Sequence, residues 1–152
     1  MRDILFRGKR PNNGDWVVGN LFVPDKDNAP TEICVGTNVI RITYEVIPET
    51  VGQYTGLYDK NGTKIFEGDI VEFESHGYYP KVDRGVVIFK KGCFGIEFMS
   101  ELAKELGWDK QFHRIGSVDR WQDMGASGEI TYTYEVIGNI HDNPELLKEG
   151  AE

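Results

Sequence analysis

"QYTGLYDKNGTKIFEGDIVEF", residues 53–73, decides how the chain is read. Tyr54 to Tyr58 has the composition of a short strand. Asp59-Lys60-Asn61-Gly62 has that of a tight turn, because Asn-Gly tolerates the positive φ angles of a type I′ hairpin. Thr63 to Phe66 reads as the return strand. Glu67-Gly68-Asp69 is a second turn, where glycine permits unusual φ and Asp hydrogen-bonds nearby backbone amides. From Ile70 to Glu74, Ile70, Glu72 and Glu74 alternate with Val71 and Phe73, as on a strand. The stretch predicts a β-meander, so its residue types have a scaffold reason before any functional one.

The flanks repeat that grammar. On the N-terminal side, "ILFRG" (4–8) and "WVVGNLFV" (16–23) predict a hairpin around the turn "PNNGD", followed by strands over "TEICVG" (31–36) and "NVIRITYEVI" (38–47). On the C-terminal side, "RGVVIFKKGCFGIEFM" (84–99) predicts a hairpin turning at Lys90-Lys91-Gly92. The apolar run Val86-Val87-Ile88-Phe89 predicts a strand covered on both faces. "SELAKELGW" (100–108) predicts a helix capped by Ser100 and ended by Gly107. Residues 109–127 carry no clear period. "GEITYTYEVIGNI" (128–140) predicts a long strand, and "NPELLKE" a short helix with Asn143 as cap and Pro144 at its first position. "TYEVI" occurs at both 43–47 and 133–137, but five residues do not make a repeat. The expected fold is all-β: a partly open barrel of SH3-like size over residues 51–152, with residues 1–50 supplying strands that extend or cover it.

Composition narrows the function classes. Lys and Arg number 17 against 25 Asp and Glu, a net charge of −8, which disfavours generic binding to a phosphate backbone. A nucleic-acid surface would need a local reversal, from Arg2, Arg7, Lys9 and Arg10 or from Lys81, Arg84, Lys90 and Lys91. Two distant cysteines, Cys34 and Cys93, predict free, buried thiols in a reducing compartment. No apolar run approaches the ~20 residues of a membrane span, and Ile4-Leu5-Phe6 is too short a core for a signal peptide. A cytoplasmic protein is the expectation.

No motif carries chemistry. The Asp59 stretch fails as a calcium loop, since Gly62 falls fourth where such a loop needs glycine sixth. "NGT" at 61–63 matches a glycosylation sequon without a secretory context. His76, His113 and His141 are scattered without metal-ligand spacing. Cys93, His113 and Asp119 make a nucleophilic arrangement only on paper, because a hairpin cysteine is more often a small hydrophobe. Glu67 and Asp69 suit a solvated turn better than acid–base work. No dinucleotide or phosphate-loop glycine motif occurs. The expectation is therefore no catalytic, cofactor or metal residues. The aromatics Tyr54, Tyr78, Tyr79, Trp108 and Trp121 outnumber what a small β core absorbs, and Tyr and Trp anchor partner surfaces. Candidate binding residues are Arg7, Trp16, Tyr54, Asp59, Asp69, Tyr78 and Tyr79.

"ETVGQYTGLYDKNGTKIFEGDIVEF" (49–73), with "YEVIGNIHDNPELL" (134–147) and the opening "RDILFRGKRPNNGDWVVGNL" (2–21), resembles the YopX family of phage and prophage proteins of Gram-positive bacteria. Gln53, Tyr54, Thr55, Gly56, Leu57, Asp59, Asn61, Gly62, Gly68, Asp69, Gly138, Asn139 and Pro144 match its pattern. The resemblance implies a mainly β fold and a phage or prophage accessory protein in the bacterial cytoplasm, and it brings no activity or cofactor. Binding to a host or phage protein is the leading expectation. A nucleic-acid-binding small barrel is the alternative, and an enzyme with a spatially assembled site comes last. Unblocked strand edges in such a fold invite a homo-oligomer.

Overall fold

The computed structural model describes residues 3–25, 28–37, 39–76, 81–98, 112–116, 119–123 and 126–148. The described chain is all-β. Its strands form two open, six-stranded antiparallel sheets, and no barrel closes. The helix expected over 100–108 and the aromatics Tyr78, Tyr79 and Trp108 lie outside the described residues. The chain divides into two compact units, residues 1–56 and 57–152.

The first unit is built from neighbours in sequence. Strand β1 (Phe6–Lys9) pairs with β2 (Trp16–Phe22), β2 with β3 (Glu32–Gly36), and β3 with β4 (Arg41–Glu45). The other side of β1 takes the start of β5 (Gly52–Tyr58), with Phe6 opposite Gln53. Alternation sets the faces. Ile33 and Val46 are fully or almost fully buried, while Val18 and Phe22 on β2 are exposed. A 3-10 turn at Pro48–Thr50 fastens the end of β1. Thr50 Oγ1 accepts the Lys9 amide at 2.9 Å and donates to the Ile47 carbonyl at 2.7 Å. The Ile47 amide in turn donates to the Lys9 carbonyl at 2.8 Å.

The second unit continues through the end of β5, which pairs with β6 (Lys64–Phe66). Its own sheet runs β10-β9-β8-β7-β12-β11, comprising β7 (Asp69–His76), β8 (Lys81–Lys90), β9 (Cys93–Phe98), β10 (Phe112–Arg114), β11 (Asp119–Asp123) and β12 (Ala126–Asn139). The core collects Val71, Phe73, Val87, Phe94, Ile96 and Tyr134 from one face of that sheet, together with Ile65 of β6 and Ile115 just past β10. Burial of each such side chain contributes about 1.5–3 kcal/mol. The double cover expected for the run at 86–89 is only partly realised. Val87 is wholly buried and Val86 and Ile88 are half-buried, but Phe89 is 53% exposed, its ring edge-on to Phe94 at 5.0 Å.

The central pairing is between β7 and β12, from Thr131 opposite His76 to Asn139 opposite Asp69, with a bulge that leaves Ile137 unpaired. After it, the C-terminal element is a 3-10 turn, Pro144–Leu147, with Pro in its first turn as expected but without a side-chain cap from Asn143. Asn143 Oδ1 instead accepts the Asn139 amide at 3.3 Å. The bulge requires the backbone at Gly138 to lie against that turn: a Cβ there would come 2.6 Å from Asn143 Oδ1.

The type I′ turn expected at Asn61-Gly62 is found instead at Lys91-Gly92. At 59–63 only Gly62 has positive φ, at 82°, so the turn is not type I′. The Gly62 amide donates to the Asp59 carbonyl at 3.1 Å and the Asp59 amide to the Thr63 carbonyl at 2.8 Å. This is the three-residue loop, a type I turn closed by a glycine bulge. The type I′ geometry occurs at Lys91 (φ 53°) and Gly92 (φ 79°), between the paired Lys90 and Cys93. Lysine at positive φ carries a steric cost that Asn largely escapes. Lys91→Asn is therefore expected to stabilise the second unit by about 0.5–1 kcal/mol in urea unfolding. A Cβ at Gly62 would meet nothing within 4 Å, so strain there is purely torsional. Gly62→Val is expected to destabilise by about 1–3 kcal/mol; a variant that unfolds with the wild type contradicts the turn assignment.

Candidate functional site

The sequence-derived candidates separate into scaffold and surface. Tyr54 (3% exposed), Asp59 (8%) and Asp69 (1%) are buried, so they hold the fold and do not present themselves to a partner. Asp69 is no solvated turn residue: its Oδ2 accepts the Phe66 amide at 2.7 Å across the corner between β6 and β7. Beside it, Gly68 at φ 83° donates to the Val87 carbonyl and accepts the Ile140 amide, both at 2.9 Å.

Asp59 joins two parts of the second unit through three backbone amides. Its Oδ1 accepts the amides of Asn61 and Thr63, both at 2.8 Å, which shapes the hairpin tip. Its Oδ2 accepts the Val136 amide at 3.0 Å, next to the β12 bulge. The adjacent Lys60 amide donates to the Tyr134 carbonyl at 2.8 Å, so the tip docks on the side of β12 that β7 leaves open. Burial opposes ionisation of Asp59, but hydrogen bonds from the Val136, Thr63 and Asn61 amides outweigh it and hold the carboxyl below its usual range.

Above the tip lies the outer, polar face of the sheet. Lys60 forms an ion pair with Glu135, and Arg84 sits 3.5 Å from Glu72. The Glu135 hydrogen bond raises the Lys60 pKa against a small opposing burial, with help from the charges of Glu135, Glu72 and Glu74. A shallow cleft lined by Lys60, Glu72, Glu74, Thr133 and Glu135 encloses about 40 Å³. That is room for a water, where a small-molecule site takes several hundred Å³.

The other chemistry-bearing residues stay apart. Cys34 and Cys93 are free, but both are only half-buried where the sequence predicts buried thiols. Cys93 Sγ points to the Lys90 carbonyl at 3.5 Å, whereas His113 stands opposite Ile96 with its ring 4.3 Å from that of Tyr132. His76 contacts Thr133 Oγ1 at 2.9 Å, and the His141 amide donates to Asn139 Oδ1 at 3.0 Å. Among the described residues no group of three or more His, Cys, Asp or Glu is placed to hold a metal, and no helix is long and apolar enough to cross a membrane.

Arg7 and Trp16 do come together, on the first unit's sheet. The Arg7 guanidinium lies 4.7 Å from the Trp16 ring centroid, and Lys9 Nζ lies 5.8 Å from it. Both distances fall within cation–π range. Strand alternation aligns Arg7 and Lys9 with Trp16, Val18 and Phe22 on one face; Val18 is 40% and Phe22 57% exposed. The apolar part of this face escaped the sequence reading, because Val18 and Phe22 look like ordinary core residues of a strand. Two of the second basic set are tied to acids, Arg84 to Glu72 and Lys90 to Glu97 at 3.4 Å. Charge is also divided unevenly: residues 1–56 carry 6 − 7 = −1 and residues 57–152 carry 11 − 18 = −7.

The Asp59 linkage has a pH signature. A carboxyl held below its unfolded pKa of about 3.9 contributes stability above that pH and loses it as pH falls through the depressed folded value. Asp59→Asn is expected to cost about 2–3 kcal/mol at neutral pH, since an amide cannot accept from all three backbone donors. The gap between the two proteins in thermal melts should narrow below about pH 4. A gap independent of pH rules out the ionised carboxylate as its source.

Two comparisons with known proteins find relatives. The crystal structure of protein EF1440 from Enterococcus faecalis is similar with a TM-score of 0.50 and 23% identity, covering 97% of this chain and 100% of that one, which supports the fold. No curated protein matches. The family model described as "YopX protein" matches residues 5–148, and with nearly its whole length inside that match the chain belongs to the YopX family.

Proposed function

We propose that the protein is a non-catalytic phage or prophage accessory protein, acting in the bacterial cytoplasm by binding another protein through the open face of its first sheet. The carrying observation is the alignment of exposed Val18 and Phe22 with the Arg7–Trp16–Lys9 group on that face. Aromatic and arginine side chains beside accessible apolar surface are the usual anchors of protein interfaces. Membership of the YopX family supports the phage setting. The more neutral charge of the first unit lowers the electrostatic cost of bringing an acidic bacterial protein to it.

The same cation–aromatic group favours a second reading, stacking of a single-stranded nucleic acid on Trp16 with phosphates near Arg7 and Lys9. The overall charge of −8 opposes it.

Affinity capture from phage-carrying cells, run with the wild type and with Val18→Glu/Phe22→Glu, tests the first reading. The expected outcome is a specific partner retained by the wild type and lost from the variant, with unchanged melting of the variant. No partner above background, or equal capture by both proteins, overturns it. Titration of Trp fluorescence with single-stranded oligonucleotides is expected to show no saturable binding at physiological salt; salt-dependent quenching that Trp16→Ala abolishes favours the second reading.

A further inference from the structure

Strand β4 ends the first sheet, and among the described residues no strand pairs with its outer side. Its hydrogen-bonding parity is fixed by its inner side. The Thr37 amide donates to the Ile40 carbonyl and the Val46 amide to the Thr31 carbonyl, both at 2.9 Å. In the same register Ile42 stands opposite Val35 and Tyr44 opposite Ile33. The alternation of an antiparallel ladder therefore turns the backbone of residues 40, 42, 44 and 46 towards β3, and leaves the N–H and C=O groups of Arg41, Thr43 and Glu45 facing outward.

We infer that β4 pairs with β4 of a second copy of this chain, antiparallel, with Thr43 opposite Thr43 on a two-fold axis. That register uses the outward-facing groups: Thr43 with Thr43, Arg41 with Glu45, and Glu45 with Arg41 each exchange two backbone hydrogen bonds. The side chains agree with the backbone. "RITYE" reads as its own complement, so each Arg41 faces a Glu45 of the second copy and each Ile42 faces a Tyr44. Arg41, Ile42, Thr43 and Glu45 are all exposed, Ile42 at 53%. Opposite charges and apolar pairs directly across strands stabilise a ladder.

The remaining edges lack this property. Strands β6 and β10 have three residues each, too short to template a partner. The β11 sequence "DRWQD", paired with itself about its centre, sets Asp119 against Asp123 twice, a like-charge arrangement that resists pairing. Self-association at β4 is tested apart from the partner-binding reading: its backbone pairing uses the sheet's edge and its variants leave Trp16, Val18 and Phe22 unchanged, although the register places Arg41, Thr43 and Glu45 on the same face as those residues.

Sedimentation equilibrium of the full chain tests it. The wild type is expected to dimerise with concentration. Arg41→Glu and Glu45→Arg each create two like-charge pairs in the dimer, and each is expected to weaken association about tenfold or more. The double swap Arg41→Glu/Glu45→Arg restores it. Both positions are exposed, and circular dichroism is the check that the variants stay folded. In a Cys34→Ser/Cys93→Ser background, which removes the Cys34 thiol that pairs across from residue 43, Thr43→Cys is expected to give a disulfide-linked dimer on mild oxidation. Hydrogen-bonded pairs lie about 5.5 Å apart at Cα, within disulfide reach. A wild type that stays monomeric, a dimer indifferent to both single reversals, or a dimer that fails to cross-link at residue 43 overturns the inference.

Discussion

One carboxylate holds the second unit in register. Asp59 accepts three backbone N–H groups, two from its own turn and one from Val136, 77 residues away. The first two fix the hairpin tip, and the third, with the Lys60 amide bond to Tyr134, anchors that tip to β12. Because β12 is also the neighbour of β7, the tip and the sheet's central pairing constrain each other. The bulge at Ile137 fits the same constraint. A regular strand would carry the ladder straight through this region, whereas the extra residue re-aims the backbone just where the Asp59 carboxylate meets it. An ionised acceptor suits this junction because hydrogen bonds to a charged group are stronger than neutral ones.

What could be read from the sequence follows from the range of the forces involved. Period-2 alternation is local, so Val71 and Phe73 inside against Glu72 and Glu74 outside were legible, as were the hairpins and the all-β class. Turn geometry was less so. Asn61-Gly62 has the composition of a type I′ turn, yet the Asp59 side chain captures the Asn61 and Thr63 amides and selects a longer loop. Lys91-Gly92 adopts type I′ because the flanking strands impose it, a tertiary demand overriding a local preference. Tyr54 and Asp69 looked like surface residues by type, and their burial depends on what packs over them. The meeting of Arg7 with Trp16 was legible only in part: both sit in a predicted hairpin, but their shared face depends on a register that a sequence does not print.

The two units handle polarity in different ways. The second buries its apolar face in one cluster and closes its outer face with ion pairs, Lys60 with Glu135 and Arg84 with Glu72. Surface pairs of this kind add little stability, but they neutralise the cations that a nucleic acid would seek. The first unit leaves Val18 and Phe22 accessible and keeps its cations against an aromatic ring. Among the described residues the second unit also exposes Tyr58, Val82 and Phe89, but only the first sets exposed apolar side chains beside an Arg–Trp–Lys group on one face.

The β7–β12 pairing also sets an order of events at the ribosome. The first unit's strands pair with neighbours in sequence, apart from β1 with β5, so they can assemble while the rest of the chain is still being made. Strand β7 cannot do so fully: residues 69–76 wait for residues 131–139 to emerge. At roughly 5–20 residues per second that delay lasts about 3–12 s. Through that interval Val71 and Phe73 have only the β8 side of their sheet in place, so the centre of the sheet is the last part of the second unit to gain its full cover.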